Sequence, residues 1–127
     1  MSNSDVGAAF ENLIADLKLN ASRSPWAKEQ GLSGWIGHLV DEVNEVRQAF
    51  ESGDMEHVAE EMGDVLWDWV ALSLAIEAEG GPSVTEIAQN VSKKFRRRKP
   101  WIFDGGPLPE SATEERQKYL KSKAEES

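Results

Sequence analysis

The sequence predicts an all-α fold, a four- to five-helix bundle. Apolar residues recur at intervals of three and four in four separate segments, which is the spacing of one helix face. No segment alternates apolar and polar residues as a half-buried strand does. The breaks between the periodic segments carry helix stop and start signals, at Gly53 and Asp54, at E-G-G-P (79–82) and at Pro100.

The first helix is marked by Val6, Phe10, Leu13, Ile14 and Leu17. A loop is expected over Asn20 to Pro25, where small polar residues gather before a proline. The stretch P-W-A-K-E-Q-G-L-S-G (25–34) reads as irregular because of its glycines. The second helix runs from about Ser33 to Glu51, with Trp35, Ile36, Leu39, Val40, Val43, Val46 and Phe50 as its apolar stripe. Gly53 ends it, and Asp54 is the N-cap of a third helix from Met55 to about Glu79. Val58, Met62, Val65, Leu66, Trp69, Leu72 and Ile76 form its core face. A fourth helix opens on the capping box S-V-T-E at Ser83 and Glu86, buries Ile87, Val91 and Phe95, and stops at Pro100.

The chain has 127 residues, enough for one domain with one modest core. Residues 1–103 are read as that domain. Residues 104–127 are read as a tail, with a glycine- and proline-rich linker before a segment able to form a short charged helix at 114–126. There are no cysteines, which excludes disulfides and thiolate metal sites and favours a cytoplasmic protein. The N-terminus has no basic flank followed by an apolar run, so no secretory signal is expected, and no apolar run approaches membrane-spanning length. The net charge of −9 argues against nucleic acid as a partner. Trp35, Trp67 and Trp69 belong to apolar faces wider than one small bundle covers, so an obligate oligomer is expected.

Four acidic residues dominate the chemistry. Glu42 and Glu45 sit three apart in L-V-D-E-V-N-E-V, and Glu61 and Asp64 sit three apart in E-E-M-G-D-V-L. Residues three apart share a helix face, so two such helices packed antiparallel aim four carboxylates at one point. One such pair is common on a solvated face, but two on consecutive helices, each beside an apolar stripe, are not. Crowded carboxylates repel, and a hard cation with a preference for oxygen ligands relieves the repulsion. Gly63, inside the second pair, suggests close packing of the facing helix. Asp68, one turn beyond Asp64, is read equally as a support for the site or as surface. His38 and His57 make no E-x-x-H pattern and are read as ordinary polar residues.

The basic charge is concentrated. Lys93, Lys94, Arg96, Arg97, Arg98 and Lys99 hold six of the fourteen basic residues. A helix C-terminus favours some positive charge, but six exceed what a cap needs. Lys94, Arg97 and Arg98 are suited to phosphate oxygens, arginine as a fork and lysine as a point charge. Trp26 and Trp101, in irregular segments, are read mainly as loop anchors.

Together these residues resemble the MazG-like nucleoside triphosphate pyrophosphohydrolases of the all-α NTP pyrophosphatase superfamily. E-x-x-E (42–45) followed by E-x-x-D (61–64) is similar to the superfamily's metal motif. P-W-A-K-E-Q (25–30) resembles the MazG segment P-W-D-x-E-Q, and K-F-R-R-R-K-P-W-I-F (94–103) resembles K-L-x-R-R-H-P-H-V-F. The resemblance spans about residues 10–103. Ala27 replaces the usual aspartate, and Lys99 and Trp101 replace two histidines, departures that bear on substrate preference.

The resemblance implies hydrolysis of nucleoside triphosphates, NTP or dNTP, between the α and β phosphates, and a role in clearing unwanted nucleotides. It implies Mg²⁺, with Mn²⁺ as a substitute, and a homodimer or homotetramer. It makes Glu42, Glu45, Glu61 and Asp64 the catalytic metal ligands. It makes Lys94, Arg97 and Arg98 phosphate contacts, and Trp26, Lys28 and Gln30 residues that hold the nucleotide. Alternatives left open are a dUTPase-like or phosphoribosyl-ATP hydrolase specificity and a helical module that binds nucleotide without cleaving it.

Overall fold

A computed structural model describes residues 3–126, with the side chains of residues 3 and 4 left aside. The described residues form helices and turns, with no strand among them. They divide after Val84 into two compact units.

The first unit holds α1 (Asn3–Arg23), α2 (Pro25–Glu29), α3 (Leu32–Ser52) and α4 (Met55–Ala78). The α3–α4 hairpin is its main pairing, and α1 packs on α4 and α2. The hairpin turn is two residues long. Gly53 takes the left-handed conformation at φ 81°, which glycine adopts without a Cβ clash, and donates its N–H to the Phe50 carbonyl. The Asp54 carboxylate then accepts from the N–H groups of Glu56 (3.1 Å) and His57 (3.3 Å), satisfying two of α4's free donors.

Two expectations change here. The loop expected from Asn20 is helix, because α1 continues to Arg23 and Ser24 N–H still bonds the Asn20 carbonyl at 2.9 Å. Pro25 restricts only the residue before it, so the break is confined to Ser24. The segment read as irregular contains α2. Ser24 caps it by accepting from Ala27 N–H at 3.1 Å, and Pro25 fills the first helical position, where no N–H is needed.

Leu17, Ala27, Trp35, Val70 and Ala71 are buried and form the core, flanked by Leu13, Ile14, Leu66, Trp67, Trp69 and Leu72. This core lies toward the C-terminal half of α4. Further along the hairpin the apolar stripe is uncovered, and Ile36, Val40, Val43, Phe50, Met55 and Met62 are exposed.

The second unit holds most of α5 (Val84–Arg98) together with α6 (Pro100–Phe103) and α7 (Ala112–Glu125). Pro100 both stops α5 and starts α6. Ser111 caps α7 through Glu114 N–H at 3.1 Å. The buried face expected for α5 is not there: Ile87 is half-buried, and Val91 and Phe95 are exposed. Phe95 instead stacks on Tyr119 of α7, ring centres 6.2 Å apart.

Leu17 is 1% exposed, at the point where α1 meets the core. Leu17→Ala is expected to cost about 2–4 kcal/mol, since the site can only partly collapse. Urea unfolding followed by circular dichroism measures it, and a loss below about 1 kcal/mol would remove Leu17 from the core.

Candidate metal centre

The α3–α4 hairpin gathers acidic side chains from both of its arms. Glu42 of α3 and Glu61 and Asp64 of α4 each offer a carboxylate oxygen, and the three oxygens lie within 4.8 Å of one another. Glu42 and Glu61 are half-buried and Asp64 is exposed. Ligands of a Mg²⁺ octahedron stand about 3.0 Å apart when adjacent and about 4.2 Å apart when opposite, so the three oxygens would draw together to serve one hard cation. The residues therefore fit the ion the sequence implies. Glu45, on the next turn of α3, is exposed and lies outside this group.

Proximity has an electrostatic cost. The Glu42 carboxyl is pushed above its ordinary range, first by burial and then by the charges of Asp64, Asp68 and Glu61, with which it also shares a hydrogen bond in the case of Glu61. Asp68 is buried at 8% exposure and is likewise pushed up by burial and by Asp64, while His38 pulls it down. The surface alternative for Asp68 is thereby removed.

The packing reason for Gly63 is not borne out. Among the described residues, nothing from outside its own helical turns lies within 4 Å of where a Cβ would stand. The glycine instead leaves that side of α4 bare.

Both histidines belong to the surroundings of the carboxylates, which the reading from sequence missed. His57 Nε2 donates to Glu61 Oε1 at 3.1 Å. His38 Nε2 donates to Gln30 Oε1 at 3.3 Å, and its ring sits 4.9 Å from Trp26 and 5.9 Å from Trp35. Gln30 in turn donates from Nε2 to the Trp26 carbonyl at 3.1 Å. Trp26 meets Trp35 edge-on at 5.5 Å with half its own surface exposed. Lys28 is exposed on the same short helix. The signal was available: each histidine precedes a site glutamate by four residues, one helical turn.

In the second unit several of the basic residues are engaged. Arg97 and Arg98 both pair with Glu126, and Lys99 pairs with Glu115. Lys94 lies over the Phe95 ring at 5.7 Å.

Asp68 sets a pH dependence. Its folded carboxyl holds its proton more tightly than the unfolded one, so stability falls as pH rises through the raised value. Asp68→Asn removes that penalty. In metal-free protein the variant is expected to melt higher than wild type at pH 7, with the gap closing toward pH 4. Thermal melts across that range check it, and a gap independent of pH would assign the effect to packing.

A family model for the MazG nucleotide pyrophosphohydrolase domain matches residues 30–103. Several curated proteins are similar, among them three named nucleoside triphosphate pyrophosphohydrolases. The nucleoside triphosphate pyrophosphohydrolase of Mycolicibacterium smegmatis is 31% identical over 94% of this chain and 37% of its own length. That of Escherichia coli is 30% identical over 62% of this chain and 30% of its own. The nucleoside triphosphate pyrophosphohydrolase/pyrophosphatase MazG of Thermotoga maritima is 25% identical over 81% and 41%. The chain thus spans less than half the length of these curated relatives. The crystal structure of a mazG-related protein from Thermotoga maritima shares the fold, with a TM-score of 0.80, 24% identity and coverage of 90% of this chain and 98% of that one. With the family model matching more than half of its length, the chain belongs to the MazG nucleotide pyrophosphohydrolase domain family.

Proposed function

We propose that this chain is a Mg²⁺-dependent nucleoside triphosphate pyrophosphohydrolase, which splits NTPs or dNTPs into the monophosphate and pyrophosphate. The observation that carries the proposal is the convergence of Glu42, Glu61 and Asp64 within 4.8 Å in a chain of the MazG family. Bound there, Mg²⁺ (or Mn²⁺) would neutralise the triphosphate and polarise its phosphoryl oxygens.

Glu42, Glu61 and Asp64 are the ligands, and Glu45 is proposed as the fourth, from the next turn of α3. His57 holds the Glu61 carboxylate by one oxygen and so fixes its orientation. One of the glutamates takes the proton of the attacking water. Trp26, with its ring half exposed, Lys28 and Gln30 are proposed to hold the nucleotide, with the ring stacking on the base. Lys94, Arg97 and Arg98 are proposed as phosphate contacts on the chemistry of their side chains.

The exposed apolar residues of α3 and early α4 support a homodimer or a homotetramer built from dimers. No helix among the described residues is long and apolar enough to cross a membrane. A cytoplasmic role in removing unwanted nucleotides is the corresponding physiological proposal, with neither nucleic acid nor membrane as partner.

Incubation with a panel of NTPs and dNTPs plus Mg²⁺ is expected to release pyrophosphate, and chelation to stop the release. Glu61→Gln is expected to lower turnover at least about a hundredfold with the helical circular dichroism unchanged. Release of single phosphate, or full activity in that variant, would overturn the assignment.

A further inference from the structure

In the second unit two arginines share one carboxylate, that of Glu126, the residue that follows α7. Arg97 Nε donates to Glu126 Oε1 at 2.7 Å, and Arg98 Nε donates to Glu126 Oε2 at 2.9 Å. One carboxylate therefore accepts from two guanidinium groups, one on each oxygen. Arg98 also donates from Nη1 to the Tyr119 hydroxyl at 3.3 Å. The next basic residue repeats the pattern. Glu115 Oε2 takes Lys99 Nζ at 3.1 Å and Trp101 Nε1 at 2.8 Å. Phe95 stacked on Tyr119 completes the contact. Helix α7 thus lies along the end of α5 and covers basic residues that the sequence assigns to phosphate.

A carboxylate seated between two arginines imitates two oxygens of a phosphoryl group, with less charge and fewer acceptor positions. A polyphosphate outmatches it on both counts. The occupant is nevertheless effective because it is tethered, and its local concentration is high without any binding step. The Arg97 side chain is 58% exposed, so its pair is screened and weak, while Arg98, 14% exposed, holds the same carboxylate in a more sheltered pair. That suits a latch that a polyanion can open.

We propose that Arg97 and Arg98 form a phosphoryl-anion site, taking the phosphate chain of the nucleotide or free pyrophosphate, and that Glu126 at the end of α7 closes it as an intramolecular competitor. The proposal rests on the reading of Arg97 and Arg98 as phosphate contacts and adds to it a self-imposed gate.

The test uses full-length protein and two titrants in calorimetry: inorganic pyrophosphate, and a non-hydrolysable NTP analogue with Mg²⁺. Glu126→Gln removes the competing charge and is expected to tighten binding about two- to fivefold, the range of one exposed ion pair. Glu126→Asp, which keeps the charge, is expected to stay close to wild type. Tightening with the analogue makes the nucleotide the ligand, and tightening with pyrophosphate alone makes it the free product. If Glu126→Gln leaves both affinities unchanged while Arg97→Ala and Arg98→Ala weaken them, the latch is wrong and the phosphate reading stands. If the arginine variants also leave both affinities unchanged, the phosphate reading itself is overturned, and the latch with it.

Discussion

The structure of the first unit depends on holding like charges together. Three carboxylates meet between two arms of one hairpin, and burial adds to their mutual repulsion at Glu42. The charges of the carboxylates oppose this arrangement. The two-residue turn at Gly53 and Asp54 fixes which turn of α3 faces which turn of α4, so neither helix can slide to separate the charges. The core farther along α4, where Leu17 and Val70 are almost fully buried, supplies the cohesion that the charged part of the hairpin lacks. Site and core are thus divided along the same helix, and the tension at one end is tolerated because the other end is well packed.

What was legible in the sequence had a local mechanism. Gly53 and Asp54 act on their immediate neighbours, and the boundary between α3 and α4 fell where they predicted it. The carboxylate pairs followed from helix geometry alone, and three of the four meet as expected. The short helix α2 has an equally local signal, Ser24 before Pro25, but Gly31 and Gly34 close behind it give the segment the composition of a loop. Glu45 stands apart from the other three carboxylates. Spacing places it beside Glu42, but whether a side chain turns inward is decided by the facing helix. The burial of Asp68 was hidden for the same reason, since spacing cannot tell which stripe of α4 will be covered. The pairing of Arg97 with Glu126 crosses 29 residues, and no periodicity reports a contact of that range.

The carboxylates of this chain sort themselves by the direction in which the fold shifts them. In the second unit Glu126 and Glu115 are held below their ordinary range, first by their hydrogen bonds to Arg97 and to Trp101 respectively. In the first unit Glu42 and Asp68 are pushed above it, with burial the largest cause. A carboxylate that is shifted down has found its partner within the fold, and its work is to hold elements together. One that is shifted up has been denied a full partner, and the denial costs stability.

That contrast supports the proposal that the acidic group is a metal site in a chain of net charge −9. An acidic protein with no use for concentrated charge has simple remedies, such as rotating the residues outward or placing a lysine opposite them. This chain applies such a remedy in its second unit, where the cations stand within reach of the acids. In the first unit it sets His57 beside Glu61 and His38 near Asp68, and three carboxylates still stand within 4.8 Å of one another. A field kept open in that way is one that a divalent cation can fill.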